Sequence, residues 1–226
     1  SYACMDGVIN ETPRGLALRG ALVLCNSLNS FALDEASLHV PVRAAENKVF
    51  VVAANKVGPL IPADQVEPVA KAVNIPPQFL DGAGESQIVA PDGTVLAKAP
   101  LRGEAVVFAD IDLAEAQDKT RPDGTDIYLT RRPSLYAGIG QKPAEAEHPI
   151  AAKEMVAAVY QPAENGEAAI NEVVAAIQET QQETVQLLVL PELFCFDDGL
   201  VDPDKIEAAL QRSQQAINTI REALQD

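Results

Sequence analysis

The sequence predicts an α/β protein in which short buried strands alternate with amphipathic helices. Residues 49–54 form a continuous apolar run between Lys48 and Asn55, as buried strands do. Apolar residues between positions 170 and 177 recur at the spacing i, i+3, i+4, i+7, which places them on one face of a helix. Residues 86–90 and 94–97 flank a Pro-Asp-Gly turn, which is typical of a β-hairpin. These alternating elements favour stacked layers of helix and sheet.

Predicted strands and helices follow one another along the chain. Strands are predicted at residues 2–5, 21–25, 48–54, 86–90, 94–97, 104–110, 155–160 and 185–190. Helices are predicted at residues 12–20, 34–47, 65–73, 113–119 and 206–224, and around residues 170–177. Thr12 is expected to cap the first helix, with Pro13 at its first position and Gly20 at its end. Pro41 marks either a kink in the second helix or its true start.

The composition is that of a folded and acidic protein. A chain of 226 residues can bury a substantial core, as one large domain or two small ones. Its net charge is −16, and residues 151–226 alone contain 14 acidic and 4 basic residues. Because such a surface repels phosphate backbones, we expect no nucleic-acid partner.

Few residues are available for a disulfide framework or a metal centre. The chain has three cysteines, Cys4, Cys25 and Cys195, and two histidines. This sparse, odd set of cysteines indicates neither paired disulfides nor a zinc cluster, so we expect no metal and no cofactor. We also expect a cytoplasmic protein without membrane association, since no apolar run is long enough to span a bilayer and no signal-peptide pattern is visible.

Cys4 is a candidate nucleophile because it leaves a predicted strand just before a helix-forming segment. Backbone N–H groups at such a turn stabilise a thiolate and can hold an oxyanion. The alternative is that Cys4 is simply a small buried hydrophobic residue.

Glu192 is a candidate general base because it follows an apolar strand and Pro191. Partial burial at a strand end raises the pKa of a carboxyl group, which suits a base. The alternative is an ordinary capping or loop carboxylate.

Four segments within residues 2–138 form a combined signature. The first is Cys4-Met-Asp6 with Glu11-Thr-Pro-Arg14 and residues 16–21, and the second is Arg43-Ala-Ala-Glu-Asn47 with residues 49–55. The third is Gly84-Glu-Ser86 with residues 88–93, and the fourth is Arg131-Arg-Pro-Ser-Leu-Tyr136. As a set they resemble the latter half of a domain of the nitrilase, or carbon–nitrogen hydrolase, superfamily. Residues 156–161 and Leu188-Val-Leu-Pro-Glu-Leu-Phe194 resemble the opening of such a domain.

The resemblance implies a nitrilase-like α-β-β-α sandwich, incomplete or permuted in this chain, and a Cys-Glu-Lys triad. In that family the cysteine attacks a nitrile or amide carbon, the glutamate acts as base, and the lysine stabilises the tetrahedral intermediate. Cys4 matches the nucleophile and Glu192 the base, whereas no position matches the lysine. Met5, Asn29 and Phe31 are the expected substrate-binding residues. Arg43, Glu46 and Asn47 could be catalytic, but a structural role that holds helix to strand is favoured.

The two motifs occur in the reverse of the family's order, since the glutamate normally precedes the cysteine. Three explanations remain open: a piece of a longer protein with tandem domains, a circular permutation, or a noncatalytic relative that serves as an interaction scaffold. The expected function is hydrolysis of carbon–nitrogen bonds other than peptide bonds, in an amide, nitrile or carbamoyl substrate, through a cysteine thioester or thioimidate.

Three regions are predicted from these matches. Residues 1–122 are the C-terminal half of a nitrilase-like domain, residues 123–150 a Pro- and Gly-rich tail or linker, and residues 151–226 the N-terminal part of such a domain. The expected partners are a small amide or nitrile substrate and further copies of the chain, because the last helix carries an apolar stripe that requires cover.

Overall fold

The computed structural model describes residues 1–142, 154–182, 184–197 and 203–224. They form two compact units, Ser1–Gln141 and Lys142–Asp226. Both units combine strands and helices, which confirms the predicted α/β class. The predicted three-part division stays a prediction, and its residues 143–153 lie outside the described residues.

The first unit contains seven strands and five α-helices. The strands are β1 (Tyr2–Ala3), β2 (Val23–Leu28), β3 (Phe50–Asn55), β4 (Val57–Pro59), β5 (Asp81–Ala83), β6 (Gln87–Val89) and β7 (Val95–Lys98). The helices are α1 (Met5–Val8), α2 (Glu11–Leu18), α3 (Val40–Asn47), α4 (Ala63–Val73) and α5 (Leu113–Gln117). A π-helical turn, Glu35–His39, runs directly into α3, and 3-10 helices cover Pro77–Leu80 and Pro133–Gly140.

Five strands form one sheet in the order β1-β2-β3-β6-β7, and β4 and β5 pair separately. The first three strands are parallel, while β6 and β7 form the predicted antiparallel hairpin. Leu24, Val51 and Val89 stand in one row across β2, β3 and β6 and are fully buried. They pack with Val40 and Ala44 of the helical segment over that face, so this layer is the main core of the unit.

A second row on the same sheet face is polar. Tyr2 stands beside Asn26, Asn26 beside Ala53, and Ala53 beside Gln87. The side chains of Tyr2, Asn26 and Gln87 each have a buried oxygen without a hydrogen-bond partner among the described residues, as does Glu35 in the π-helical turn. Buried polar atoms of this kind cost free energy, so the row is a weak point of the core.

The second unit is a β-α-β-α arrangement. Strands β8 (Ala157–Val159) and β9 (Leu187–Val189) are parallel and are connected through helix α6 (Gly166–Gln182). The final helix α7 (Ile206–Ala223) follows a 3-10 turn, Pro203–Lys205. Ile170, Val173 and Ile177 of α6 are buried, so the helical spacing predicted from the sequence is confirmed.

Several local predictions differ from the structure. Residues 104–110 were expected to form a strand, but within the described residues they pair with no other strand, and Val106 and Phe108 are 75% and 84% exposed. An apolar segment becomes a strand only where a neighbour supplies hydrogen bonds. Helix α2 begins at Glu11 rather than after Thr12. Strand β2 covers Val23–Leu28 rather than the predicted residues 21–25.

Replacing Tyr2 by Phe should leave the protein equally stable or more stable by up to about 1 kcal/mol, because the buried hydroxyl has no partner among the described residues. Burial raises the pKa of Tyr2 to about 12, as expected for a hydroxyl removed from water. The measurement is urea-induced unfolding at neutral pH. Tyr128→Phe is the matched control and should lose about 1 kcal/mol, since the Tyr128 hydroxyl donates to the Asn47 carbonyl at 3.0 Å. Equal losses in both variants would contradict the prediction.

Replacing Glu35 by Gln should raise stability at neutral pH by about 1 kcal/mol and flatten its pH dependence. Burial raises the pKa of Glu35, with a smaller increase from Asp34 and opposing effects from His39 and Arg43. The folded chain therefore holds this proton more tightly than the unfolded chain, so stability falls as pH rises from the unfolded pKa through the folded one.

Urea unfolding measured between about pH 4 and pH 8, a range that begins near the ordinary carboxyl pKa, tests whether the stability falls as pH rises. Glu67→Gln, at an exposed position on α4, is the control and should preserve the wild-type pH dependence. A Glu35→Gln variant that loses stability uniformly across this range would contradict the prediction.

Candidate active site

Cys4 lies in a sharp turn between β1 and α1. Its N–H donates to the Ser27 carbonyl at 2.9 Å, which continues the pairing of β1 with β2, and its carbonyl accepts from the Gly7 N–H at 2.8 Å. The backbone has φ 46° and ψ −115° at Cys4, a combination that a residue with a Cβ rarely adopts. Such strain costs about 1–3 kcal/mol and persists only where surrounding contacts enforce it.

Close packing of α1 against the sheet enforces this turn. A Cβ atom on Gly7 would lie 2.9 Å from a ring carbon of Tyr2 and 3.0 Å from the amide nitrogen of Asn26. Only glycine therefore allows α1 to approach β1 and β2 this closely. The short helix is seated directly on the strand that precedes it.

The buried guanidinium of Arg43 holds the other end of α1. Its Nε donates to the Gly7 carbonyl at 2.8 Å and its Nη2 to the Val8 carbonyl at 2.7 Å. Its Nη1 donates to Glu46 Oε1 at 2.8 Å. Arg43 thus satisfies carbonyls at the C-terminus of α1 and fixes the helix that follows Cys4. These contacts join α3 to α1, whereas the sequence predicted that Arg43 holds helix to strand.

The expected substrate-binding residues lie near the ends of β1 and β2. Met5 follows Cys4 and is 63% exposed. Asn29 and Phe31 are also exposed and follow β2, the parallel neighbour of β1, so they extend from the same edge of the sheet as Cys4. Phe31 stacks on Phe79 with ring centroids 5.3 Å apart. Their contact with a substrate stays a prediction.

Asn55, at the end of β3, holds the segment after β2 and was not predicted from the sequence to be a site residue. Its Oδ1 accepts from the Ser30 N–H at 3.0 Å, and its Nδ2 donates to the Ser30 carbonyl at 3.1 Å. The Ser30 carbonyl also accepts from the Ala83 N–H at 2.8 Å. The sequence does contain a signal for this role of Asn55, because this amide residue ends an apolar parallel strand. Polar side chains at that position reach neighbouring loops.

Glu192 lies in the second unit, in a turn after β9. It is exposed, whereas the sequence predicted partial burial. The neighbouring Leu193 has φ 60°, and Phe194 and Cys195 pack towards the core of this unit. Cys4 and Glu192 therefore belong to different compact units, and their joint action stays a prediction.

Lys119 is a partly buried lysine that has a structural role. Its Nζ donates to the carbonyls of Lys48 at 2.7 Å and Asn47 at 3.4 Å, which terminate α3. Burial lowers the pKa of Lys119, and the nearby cations Lys48 and Arg14 lower it further. A lysine committed to these carbonyls caps the C-terminus of α3.

The described residues contain neither a metal-binding cluster nor a membrane-spanning helix. Among them, no group of three or more His, Cys, Asp or Glu side chains is arranged to hold a metal ion. No helix in the described ranges is long and apolar enough to cross a membrane.

Arg43→Met should lower the free energy of unfolding by about 3 kcal/mol, because it removes three charge-assisted hydrogen bonds from a buried position and leaves the Glu46 carboxylate without this ion-pair partner. Urea unfolding measures the loss. Arg14→Met is the matched control on α2, since Arg14 donates one described hydrogen bond, to the Glu46 carbonyl at 2.6 Å, and should cost about 1 kcal/mol. If both variants lose the same free energy, Arg43 does not hold α1 as the geometry indicates.

Known proteins similar to this chain are nitrilases and amidases. A nitrilase from Pyrococcus abyssi is 33% identical over 133 residues, which cover 59% of this chain and 44% of that protein. The chain thus spans less than half of the length of this relative.

Solved structures give partial matches. An amidase from Nesterenkonia sp. AN1, with the acetamide moiety of fluoroacetamide covalently added at its active-site cysteine, is 23% identical, with a TM-score of 0.42. That match covers 60% of this chain and 41% of the amidase. The C. elegans NitFhit protein is 26% identical, with a TM-score of 0.43, over 60% of this chain and 29% of that one.

The first unit also matches a family model. The carbon-nitrogen hydrolase model covers residues 1–121, which is more than half of the chain and includes Cys4, Arg43 and Asn55. The strained cysteine turn and the helix that Arg43 secures lie inside this match. The chain belongs to the carbon–nitrogen hydrolase family.

Proposed function

We propose that this chain contributes to a hydrolase of carbon–nitrogen bonds other than peptide bonds, with Cys4 as its nucleophile. The observation that supports this most directly is the backbone at Cys4, which is strained and held on both sides. β2 fixes the N–H of Cys4, while Gly7 and Arg43 fix the helix that follows it. Strain stabilised by several independent contacts is typical of a functional position.

The proposed reaction uses the cysteine sulfur as an attacking group. For an amide, the Cys4 thiolate adds to the carbonyl carbon and the C–N bond breaks as the amine leaves, which forms a thioester. Water then adds to the thioester carbon, and the C–S bond breaks to release a carboxylic acid and restore the thiol. For a nitrile, the thiolate adds to the nitrile carbon and the nitrogen takes up a proton, which forms a thioimidate. One water then adds to the thioimidate carbon and ammonia leaves, which gives the thioester, and a second water hydrolyses the thioester as above.

Glu192 is the proposed general base. It accepts the proton of the thiol, transfers a proton to the leaving amine, and then accepts one from the attacking water. Its exposure in a turn of the second unit leaves the carboxylate accessible. The third group of the family's triad, a lysine, has no matching position in this chain, so the full reaction requires a lysine from outside it.

Met5, Asn29 and Phe31 are proposed to contact the substrate because they extend from the sheet edge at which Cys4 lies. Self-association of the chain is also proposed. Apolar residues on α7 remain exposed, which supports an interface there: Ile206, Leu210, Ile217 and Leu224.

Thiol labelling of the 226-residue chain tests the proposed nucleophile without requiring turnover. At neutral pH, Cys4 should react with iodoacetamide at least about tenfold faster than Cys25, because the proposed role requires an activated sulfur at Cys4. Cys25 is the informative control, since it is more exposed than Cys4 and would react first if exposure alone decided the rate. Peptide mass mapping over time measures each cysteine.

Cys4→Ser should abolish the fast phase and leave labelling of Cys25 unchanged. If Cys4 instead reacts no faster than Cys25 and buried Cys195, Cys4 is not activated and the scaffold alternative is favoured.

A further inference from the structure

A pocket lies in the first unit, between α2 and the segment that follows α5. Its volume is about 430 Å³, which is large enough for a small organic molecule. Asn10, Glu11 and Arg14 line it from the start of α2, and Arg131, Tyr136 and Ile139 line it from the other side. Neither Cys4 nor any residue expected to bind the substrate lines this pocket, so a molecule held there is separate from the proposed reaction.

Two arginines, Arg14 and Arg131, line the pocket. Within the described part of the chain, neither Arg14 nor Arg131 forms an ion pair. Arg14 donates to a backbone carbonyl and lies over the Tyr128 ring, with 5.8 Å from its Cζ to the ring centroid. Arg131 lies at the same distance over the Tyr136 ring. Two such cations in one concavity are unusual for a chain with a net charge of −16.

The start of α2 adds to the positive potential. Asn10, which lines the pocket, precedes this eight-residue helix without a side-chain cap, so the partial positive charge of the helix N-terminus lies at the pocket. Glu46, which also lines the pocket, is already paired with Arg43 at 2.8 Å. Glu11 is the remaining carboxylate in the lining, and it disfavours a second negative charge on a bound molecule.

Part of the lining is apolar and aromatic. Ile127, Tyr136 and Ile139 all line the pocket, and Ile139 is 60% exposed. An aromatic or branched hydrocarbon body would cover these side chains while its anionic group meets the arginines. Arginine forks match the two oxygens of a carboxylate, and a monoanion meets less repulsion from Glu11 than a dianion does.

The geometry points to a binding site for amphipathic monocarboxylates, with Arg131 and Arg14 holding the carboxylate and Tyr136, Ile127 and Ile139 contacting the apolar body. This site recognises one negative charge joined to a hydrocarbon group of roughly benzyl size. Phosphate esters, which carry more charge, bind less well because of Glu11.

Isothermal titration calorimetry of the full chain with phenylacetate tests the inference. Saturable binding with a dissociation constant of about 1 mM or tighter is expected, whereas 2-phenylethylamine, of similar shape and opposite charge, should not bind. Arg131→Gln should weaken phenylacetate binding about tenfold. Arg132→Gln, the neighbouring arginine that does not line the pocket, is the matched control and should change affinity less than about twofold.

A second measurement, by NMR, locates the bound phenylacetate in the wild-type protein. NMR shifts on adding phenylacetate should be largest at the Tyr136 ring and the Ile127 and Ile139 methyl groups. Glu11→Gln should increase the affinity for phenyl phosphate.

Three results would overturn the inference. One is the absence of saturable binding of phenylacetate up to about 20 mM. Another is equal weakening by Arg131→Gln and Arg132→Gln, which would indicate attraction by net charge alone. The last is a set of NMR shifts centred away from Tyr136.

Discussion

A buried guanidinium connects the elements around the candidate nucleophile. Arg43, on α3, reaches the carbonyls of Gly7 and Val8 and the carboxylate of Glu46 at once. Because α1 is only four residues long, its internal hydrogen bonds cannot hold it against the sheet. The helix, and with it the turn at Cys4, therefore depends on contacts from α3 and on the close approach that Gly7 permits. Cys4 is positioned by tertiary structure rather than by local propensity.

The parallel part of the sheet determines which residues share an edge with Cys4. β1, β2 and β3 run in the same direction, so the residues after Ala3, Leu28 and Asn55 leave the sheet on one side. Asn55 binds the backbone of Ser30 and restrains the loop that contains Asn29 and Phe31. The sheet thus provides a common frame for the candidate nucleophile and the expected substrate loop, while the candidate base belongs to the other compact unit.

Both units of the chain leave apolar surface exposed. In the first, residues 104–110 carry the exposed side chains of Val106 and Phe108, and β7 exposes Val95 and Leu96. In the second, Val159 and Val189 are exposed on the small parallel sheet, as are several residues of α7. Exposed apolar surface of this extent supports the proposed self-association of the chain.

The sequence alone determined the class of the fold, the β6–β7 hairpin, the buried face of α6 and the family. Each depends on patterns that are local in the chain: alternation, turn residues, helical spacing and short motifs. It also indicated Cys4 and Glu192 as candidates, although their roles remain predictions.

Only the tertiary structure decided the strained backbone at Cys4, the contacts of Arg43 and Asn55, the exposure of Glu192 and the isolation of residues 104–110. These features depend on residues far apart in the chain: Arg43 lies 36 positions from Gly7, and Asn55 lies 25 positions from Ser30. Hydrogen bonding and burial at a residue depend on which neighbours the folded chain provides, and a local pattern does not contain that information.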